Sequence, residues 1–377
     1  MHPSSILSYY PSYAILDEIV QKGYNSLNIY IDLKNCLQTL YMEHAIVNII
    51  ENSISCGYSD TSIFTSLISF LTFHKIYSER RNININFYIF FESGQSYYHK
   101  NISNKYKISR RIDDLYGLSK EKRDLFFKIL YKNFLLVEKA CNKLPKIKVI
   151  RLDHLEADFI PYYLIRNKLV DHDDKTGNIV YSNDHDLMQT INAGNNVYIF
   201  KKTPKGKSII TKNDVMKLFF KSECDYPDNY LPLAMAITGD PGDDVYGVKG
   251  IGEKRMMGIM NEVINLVGGI DNLYKNVHEG NKILDLNKNK VPNKYINSII
   301  KAENESNLIS NNLKLVSFEI LSRFLDDPVS TEMVEKRNYV FDILNNSNIK
   351  VPLESMKKAL ELNNVYLEEG SLETIYK

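Results

Sequence analysis

A chain of 377 residues with 44% hydrophobic and 25% charged side chains is long enough for one large domain plus a smaller one and has an ordinary globular composition. The net charge of +1 excludes no partner, because it can hide an acidic metal cluster cancelled by a basic surface. Four scattered cysteines with no CxxC pair exclude a disulfide framework or a zinc site and read as free thiols of a reducing cytosol. No apolar run approaches the roughly 18 residues of a membrane span, and the start lacks a cationic segment followed by an apolar core. A cytoplasmic chain without signal peptide or membrane contact is therefore expected.

In chain order, residues 1–26 form an N-terminal extension with one amphipathic helix at 13–22. Four short apolar runs follow, at 27–31 (LNIYI), 85–91 (INFYIFF), 147–152 (IKVIRL) and 178–182 (NIVYS). Each is bounded by polar residues and separated from the next by helical patterns, which predicts buried parallel strands of an α/β sheet. A long insertion, about 95–145, lies between the second and third runs. It opens with Tyr97, Tyr98 and His99, carries Lys100, Lys105, Lys107, Arg110 and Arg111 with no acid up to that point, and continues as an amphipathic helix at 120–139. Connections of that length in compact domains are commonly functional. Bases interleaved with tyrosines suit a nucleic-acid strand, through phosphate contacts and base stacking, although a basic run is also what a solvated helix face looks like. Helices are expected at 253–267, 270–276, 293–301 and 305–315, and a further helical pattern near 354–362 falls in a C-terminal tail, 328–377.

The acids fall where an α/β sheet gathers its ligands. Asp32 ends the first run, Glu92 the second, Glu156 and Asp158 follow the third, and Asp184 and Asp186 follow the fourth. Ligands of open α/β sheets sit outside the carboxyl ends of the strands. Any one of these acids could be a helix cap or turn residue; six at four consecutive strand ends predict a metal site. Further on, ITGDPGDDVYGVKGIGEKR (237–255) places Asp240, Asp243 and Asp244 ahead of Gly247, Gly250, Gly252 and the bases Lys254 and Arg255. Carboxylates suit a hard divalent cation, and a glycine turn at a helix start offers backbone N–H groups to a phosphate.

Taken together these motifs resemble the structure-specific 5′-nucleases: flap endonucleases, the 5′-nuclease domains of bacterial polymerases and phage 5′–3′ exonucleases. The resemblance spans about 28–326 and is nearest to the stand-alone phage enzymes. YIDLKN carries the first-strand aspartate, and FESGQSYYHKNISNKYKISRR matches the segment from a strand-end acid to a YKxxR motif. LEADF is similar to EADD, SNDHDLMQ to SxDxDxxQ, and GDPGDDVYGVKGIGEK to GDxxDNxxGVxGIGxK, a helix–three-turn–helix; ENESNLISNNLKLVSF looks like the helix that follows it.

The resemblance implies a PIN-like, mostly parallel sheet flanked by helices at 27–210, a helical arch inserted at about 95–145, and a helical DNA-binding region at 211–327. It implies Lys107 and Arg110 as catalytic cations on the scissile phosphate. Two Mg²⁺ (or Mn²⁺) ions would be held by Asp32, Glu92, Glu156 and Asp158 on one side and Asp184, Asp186, Asp240 and Asp243 on the other. Two such ions about 3.5–4 Å apart activate water and stabilise the leaving oxygen. Tyr97, Lys100, Lys105, Arg111, Gly247, Gly250, Gly252 and Lys254 would bind DNA, with potassium at the glycine hairpin. Expected partners are DNA with a 5′ flap or 5′ end, RNA/DNA hybrids in primer removal, and unidentified replication proteins, the chain acting as a monomer in the host cytoplasm.

Two departures matter. Glu92 stands where the family has Asp, and Phe159 replaces the second Asp of EADD. The second change predicts a weaker second metal, unless the helix has rotated and Phe159 is a core residue. The competing readings are a PIN-like ribonuclease, disfavoured by the helix–three-turn–helix, and a catalytically weakened junction-binding replication factor.

Overall fold

Strand β1 (Ser26–Asp32) is buried at every position, as a strand with neighbours on both edges and helices on both faces must be. It sits inside a six-stranded sheet with β2 (Asn84–Ser93), β3 (Ile147–Asp153), β4 (Thr176–Tyr181), β5 (Val197–Thr203) and β6 (Gly206–Ile210), in the order β3-β2-β1-β4-β5-β6. All pairings are parallel except β5–β6. The four expected strands are present, each extended by a residue or more at one or both ends except for Ser182, which lies just past β4. The β5–β6 hairpin was not expected: its strands are only partly apolar and carry Lys201, Lys202 and Lys207. The computed structural model describes residues 13–35, 62–109, 120–142, 144–203, 206–284, 293–327 and 330–345.

The helices are α1 (Tyr13–Val20), α2 (Ser62–Arg81), α3 (Tyr97–Ile102), α4 (Lys120–Cys141), α5 (Ile160–Arg166), α6 (Lys212–Phe220), α7 (Leu231–Thr238), α8 (Glu253–Val267), α9 (Ile270–Glu279), α10 (Lys294–Ser306), α11 (Leu308–Val316), α12 (Phe318–Asp326) and α13 (Thr331–Asn345). Period-two alternation sends the side chains of one strand into different layers. Leu27, Ile29 and Ile31 join a core with α1, α2 and α4, whereas Tyr30 joins a second core with α5 and the helices from α7 onward. That second core is continuous from Phe90 and Leu152 in the sheet to Met260, Ile300 and Leu313. The region after 211 therefore shares a core with the sheet.

Asn307, left-handed at φ 50°, separates α10 from α11 and shifts both from their expected bounds. Buried Glu303 ties the break together: its carboxylate accepts from Ile309 N at 2.8 Å and Ser310 N at 3.0 Å, satisfying amides that a helix start leaves without partners. The pattern at 354–362 lies outside the described residues. Among the described residues, no helix is long and apolar enough to cross a membrane.

His74 of α2 is fully buried between the Phe70 carbonyl (Nδ1 at 2.9 Å) and the Tyr181 hydroxyl (Nε2 at 3.0 Å). Burial pushes the imidazole down to about 4, against the opposing pull of the Phe70 carbonyl. The folded state thus holds a neutral ring while the unfolded chain takes up a proton. Its contribution to stability is complete above the ordinary histidine value and is lost as pH falls through the window between that value and about 4. Chemical denaturation of the parent and of His74→Gln at pH 7 and pH 4 should show a His74-dependent loss of roughly 2–3 kcal/mol in the parent only.

Candidate metal and phosphate site

The sheet order reverses beside β1, so the carboxyl ends of β1, β2 and β4 open onto a crevice where such folds bind ligands. Asp32, the last residue of β1, is buried; Asn35 N donates to its Oδ1 at 2.9 Å and Ser182 Oγ lies 3.4 Å from its Oδ2. Past β4, Ser182 Oγ accepts from Asp184 N at 3.0 Å, and Asp184 Oδ1 accepts from Asp186 N at 3.0 Å. These local bonds start the 3₁₀ turn at Asp186–Ala193. Gln189 in that turn is structural: buried, it donates to Val316 O at 2.8 Å and accepts from Phe318 N at 3.1 Å, tying the motif to α11 and α12.

Asp240 and Asp243 arrive on a tight hairpin after α7, where β7 (Gly239–Asp240) pairs with β8 (Val245–Tyr246). Asp240 Oδ1 accepts from Gly242 N at 2.9 Å, which fixes the turn. Carboxylate oxygens of Asp186, Asp240 and Asp243 lie within 4.8 Å of one another. Three hard oxygen donors at that spacing fit one divalent cation.

The remaining acids divide by their neighbours. Burial and the charges of Asp184, Asp240 and Asp243 hold Asp186 well above the usual carboxylate range. Asp158 is raised by burial and by Asp32, Glu92, Asp184 and Glu156, and Asp32 by burial, Glu92 and Asp184. Burial pushes Glu156 and Glu92 the same way, but cations reverse the sign. Glu156 is brought down to about 2 by Lys107 and His99, and Glu92 is lowered by Lys34 and Lys107. Acids paired with ammonium groups are pulled down, and acids crowded mainly by burial and other carboxylates are pushed up, a repulsion that a divalent ion would relieve.

Lys107 links the two sets of ligands assigned from the sequence. Its Nζ makes an ion pair with Glu156 and lies 3.2 Å from Asp243 Oδ2. Its backbone is left-handed (φ 54°) and its N–H donates to Asp243 O at 3.0 Å. Sequence reasoning missed the residues that hold it there. The Tyr106 hydroxyl is within donating distance of Glu156 Oε2 (3.0 Å) and Asp243 Oδ2 (3.1 Å). His99 stacks on the Tyr106 ring, centroids 4.8 Å apart, with Nδ1 2.6 Å from Ser96 Oγ. Asp244 Oδ2 accepts from Ser109 N at 2.7 Å, joining the basic loop to the acidic hairpin. Asp244 is itself left-handed at φ 58°, a conformation Asp tolerates; its position in the turn was the available signal.

Other expected contacts resolve individually. Arg110 and Arg111 lie outside the described residues. Tyr97 is exposed and stacks on His154 with centroids 4.3 Å apart. Lys105 is exposed, whereas Lys100 reaches backbone carbonyls of Asn104 and Tyr106 and braces the loop. The three hairpin glycines have different reasons. A Cβ on Gly247 would sit 2.2 Å from the Thr238 carbonyl, Gly250 is left-handed at φ 80°, and Gly252, at the N-terminus of α8, faces open space. Gly250 and Gly252 are exposed, and Gly247 is required by packing. Lys254 is exposed in the first turn of α8, and the Arg255 guanidinium bonds to the Gly250 carbonyl, closing the hairpin.

Phe159 is 1% exposed, with its ring centroid 6.1 Å from that of Tyr163. Of the two readings left open for this position, the burial favours the core one: the side chain packs under the acids, alongside Leu315 and Phe318.

The fold is shared with solved bacteriophage T5 nucleases. It is similar to the bacteriophage T5 flap endonuclease crystallised with DNA and metal ions (TM-score 0.55, 17% identity, covering 85% of this chain and all of that one) and to the T5 5′-exonuclease with bound zinc (TM-score 0.54, 18% identity, 85% and all). A 5′–3′ exonuclease of Mycoplasma genitalium is 29% identical over 163 residues, 42% of this chain and 53% of its own length. One from Aquifex aeolicus is 32% identical over 140 residues, 37% and 43%. The chain thus spans about half the length of the curated relatives it matches. No family model matches. The solved structures show the fold, and the curated relatives are similar to part of the chain.

Placing a carboxylate at Phe159 would bury an unpaired charge. Phe159→Asp should lose about 3 kcal/mol or more of stability in a denaturation curve, and the folded fraction should titrate with Mn²⁺ at the parent midpoint. A midpoint moved to lower Mn²⁺ would return Phe159 to the metal site.

Proposed function

We propose that this chain is a divalent-metal-dependent 5′-nuclease that hydrolyses phosphodiesters at the 5′ ends and 5′ flaps of duplex DNA. The observation that carries it is the convergence of Asp186, Asp240 and Asp243 beside Lys107, on the hairpin that continues into the glycine turn and α8. Asp186, Asp240 and Asp243 would hold one Mg²⁺ or Mn²⁺, and Asp32, Glu92, Asp158 and Asp184 would contribute to a second. Bound there, the ions supply an activated water and charge neutralisation at phosphorus.

The chain's own residues do the positioning. Lys107, held by Tyr106 and the Asp243 backbone, presents a cation to the scissile phosphate, where preorganised charge has its largest effect. Arg110 is assigned the same role. Gly250, Gly252 and Lys254 grip the duplex backbone away from the cut and fix its register without reading sequence. Tyr97, Lys100, Lys105 and Arg111 are assigned to the strand entering beneath the arch. We extend the proposal to RNA/DNA hybrids in primer removal, potassium at the glycine hairpin, and a monomer working in the cytoplasm of a phage-infected cell. The division into a nuclease domain (27–210) with arch and a DNA-binding region (211–327) belongs to the same reading.

End-labelled 5′-flap DNA with Mg²⁺ tests it. Asp186→Asn should abolish cleavage, a drop of three orders of magnitude or more, with metal-free thermal stability unchanged or raised, since a source of like-charge repulsion is gone. Cleavage by that variant at the parent rate in saturating Mg²⁺ would sink the assignment.

Lys107 and Lys254 should separate chemistry from binding. Lys107→Ala should lower the single-turnover rate at least a hundredfold with little change in DNA affinity, one of many phosphate contacts being weak. Lys254→Ala should weaken duplex affinity several-fold and spare the rate at saturating DNA. Equal effects on both quantities would overturn the division of roles.

A further inference from the structure

One cation in the crevice has no part in the mechanism above. Lys34 lies two residues beyond Asp32, and its Nζ is 2.5 Å from Glu92 Oε1. The Lys34 side chain is 41% exposed and that of Glu92 20%. The pair therefore meets at the rim of the acidic edge, with the stem of Lys34 partly in solvent and its ammonium turned inward to Glu92. On the opposite side, the described carboxylates that converge closely enough to hold an ion are Asp186, Asp240 and Asp243. The Asp32–Glu92–Asp158 side has no such triplet among the described residues; there Glu92 is engaged by Lys34.

Resting on the metal-dependent reading above, we propose that Lys34 is a resident counter-cation that occupies the Glu92 side of the cluster in place of a divalent ion. An ion can bind on that side only by displacing the ammonium from Glu92. The two sides then differ in how an ion binds: on one, Asp186, Asp240 and Asp243 already converge, with Lys107 3.2 Å from Asp243, while on the other the lysine that meets Glu92 stands in the place of an ion. Lys34 is a positioning and selectivity residue that need not touch the reacting atoms. The weaker second ion expected from Phe159 on sequence grounds is retained, but its cause moves from a missing carboxylate to an added ammonium.

The test is calorimetric titration of the full chain with Mn²⁺ in the absence of DNA, so that binding is read apart from turnover. The parent should bind one ion tightly and a second weakly. Lys34→Met should tighten the second about tenfold or more, since a neighbouring charge moves a binding equilibrium by roughly one to three powers of ten, and leave the first unchanged. Lys34→Arg keeps the charge and should behave as the parent. Glu92→Gln should lose the second ion whether or not Lys34 is present. Removing Lys34 leaves Glu92 short of its partner, so melting curves in EDTA accompany each variant. Should Lys34→Met fail to fold, Lys34→Gln, also uncharged, carries the same expectation against Lys34→Arg. An unchanged or weakened second ion in the uncharged variants overturns the proposal and makes Lys34 a clamp that holds Glu92 for the metal. Absence of any Mn²⁺ binding by the parent, matched by Asp186→Asn, would instead remove the metal-dependent reading itself.

Discussion

Repulsion among carboxylates that water cannot fully solvate is the constraint on which this molecule turns. Several acids gather from the ends of four adjacent strands and from one hairpin into a single crevice, and Asp32, Asp158 and Asp186 are driven upward by burial and by neighbouring carboxylates. Such a cluster persists because the surrounding packing imposes it. The sheet fixes Asp32 and Glu92 through backbone pairing, and the hairpin fixes Asp240 and Asp243 through turn hydrogen bonds. Lys34 and Lys107 relieve part of the repulsion, each beside one glutamate. Fold stability and metal demand are therefore set by the same charges, with opposite signs.

The fold was legible because its elements obey simple periodicities. Buried parallel strands read as continuous apolar runs, and acids at their ends need only the strand direction to be brought together. β5 and β6 were missed because polar and basic residues interrupt their apolar character, as outer strands of a sheet tolerate. The break at Asn307 was misplaced because a left-handed asparagine leaves no mark on the apolar pattern around it.

Within the site, residue identities were legible while partnerships were not. The motifs named the acids and Lys107, since carboxylate spacing survives in sequence. Nothing in the order of residues announces that Tyr106 reaches both Glu156 and Asp243, that Asp244 holds Ser109 N, or that Lys34 meets Glu92 across 58 positions. Those contacts depend on side-chain length and direction, which only the packed chain supplies. Phe159 shows the converse. A family pattern suggested a missing ligand, but the residue at that position is a volume-filling aromatic packed under the crevice.

The core that runs unbroken from the sheet into the helices beyond 211 has a mechanical meaning. Asn312 Nδ2 donates to Ala236 O at 2.8 Å and Tyr246 O at 2.9 Å, binding α11 to both sides of the acidic hairpin. The element that would grip the duplex and the element that would hold the metal therefore share one packed core, through Val245, Val248, Ile251 and Met256. On the proposed reading, the distance from grip to cut is a property of the protein's shape. Such an enzyme works as a gauge: the substrate is cut wherever its junction comes to rest against a fixed stop, and the place of cleavage is measured rather than recognised.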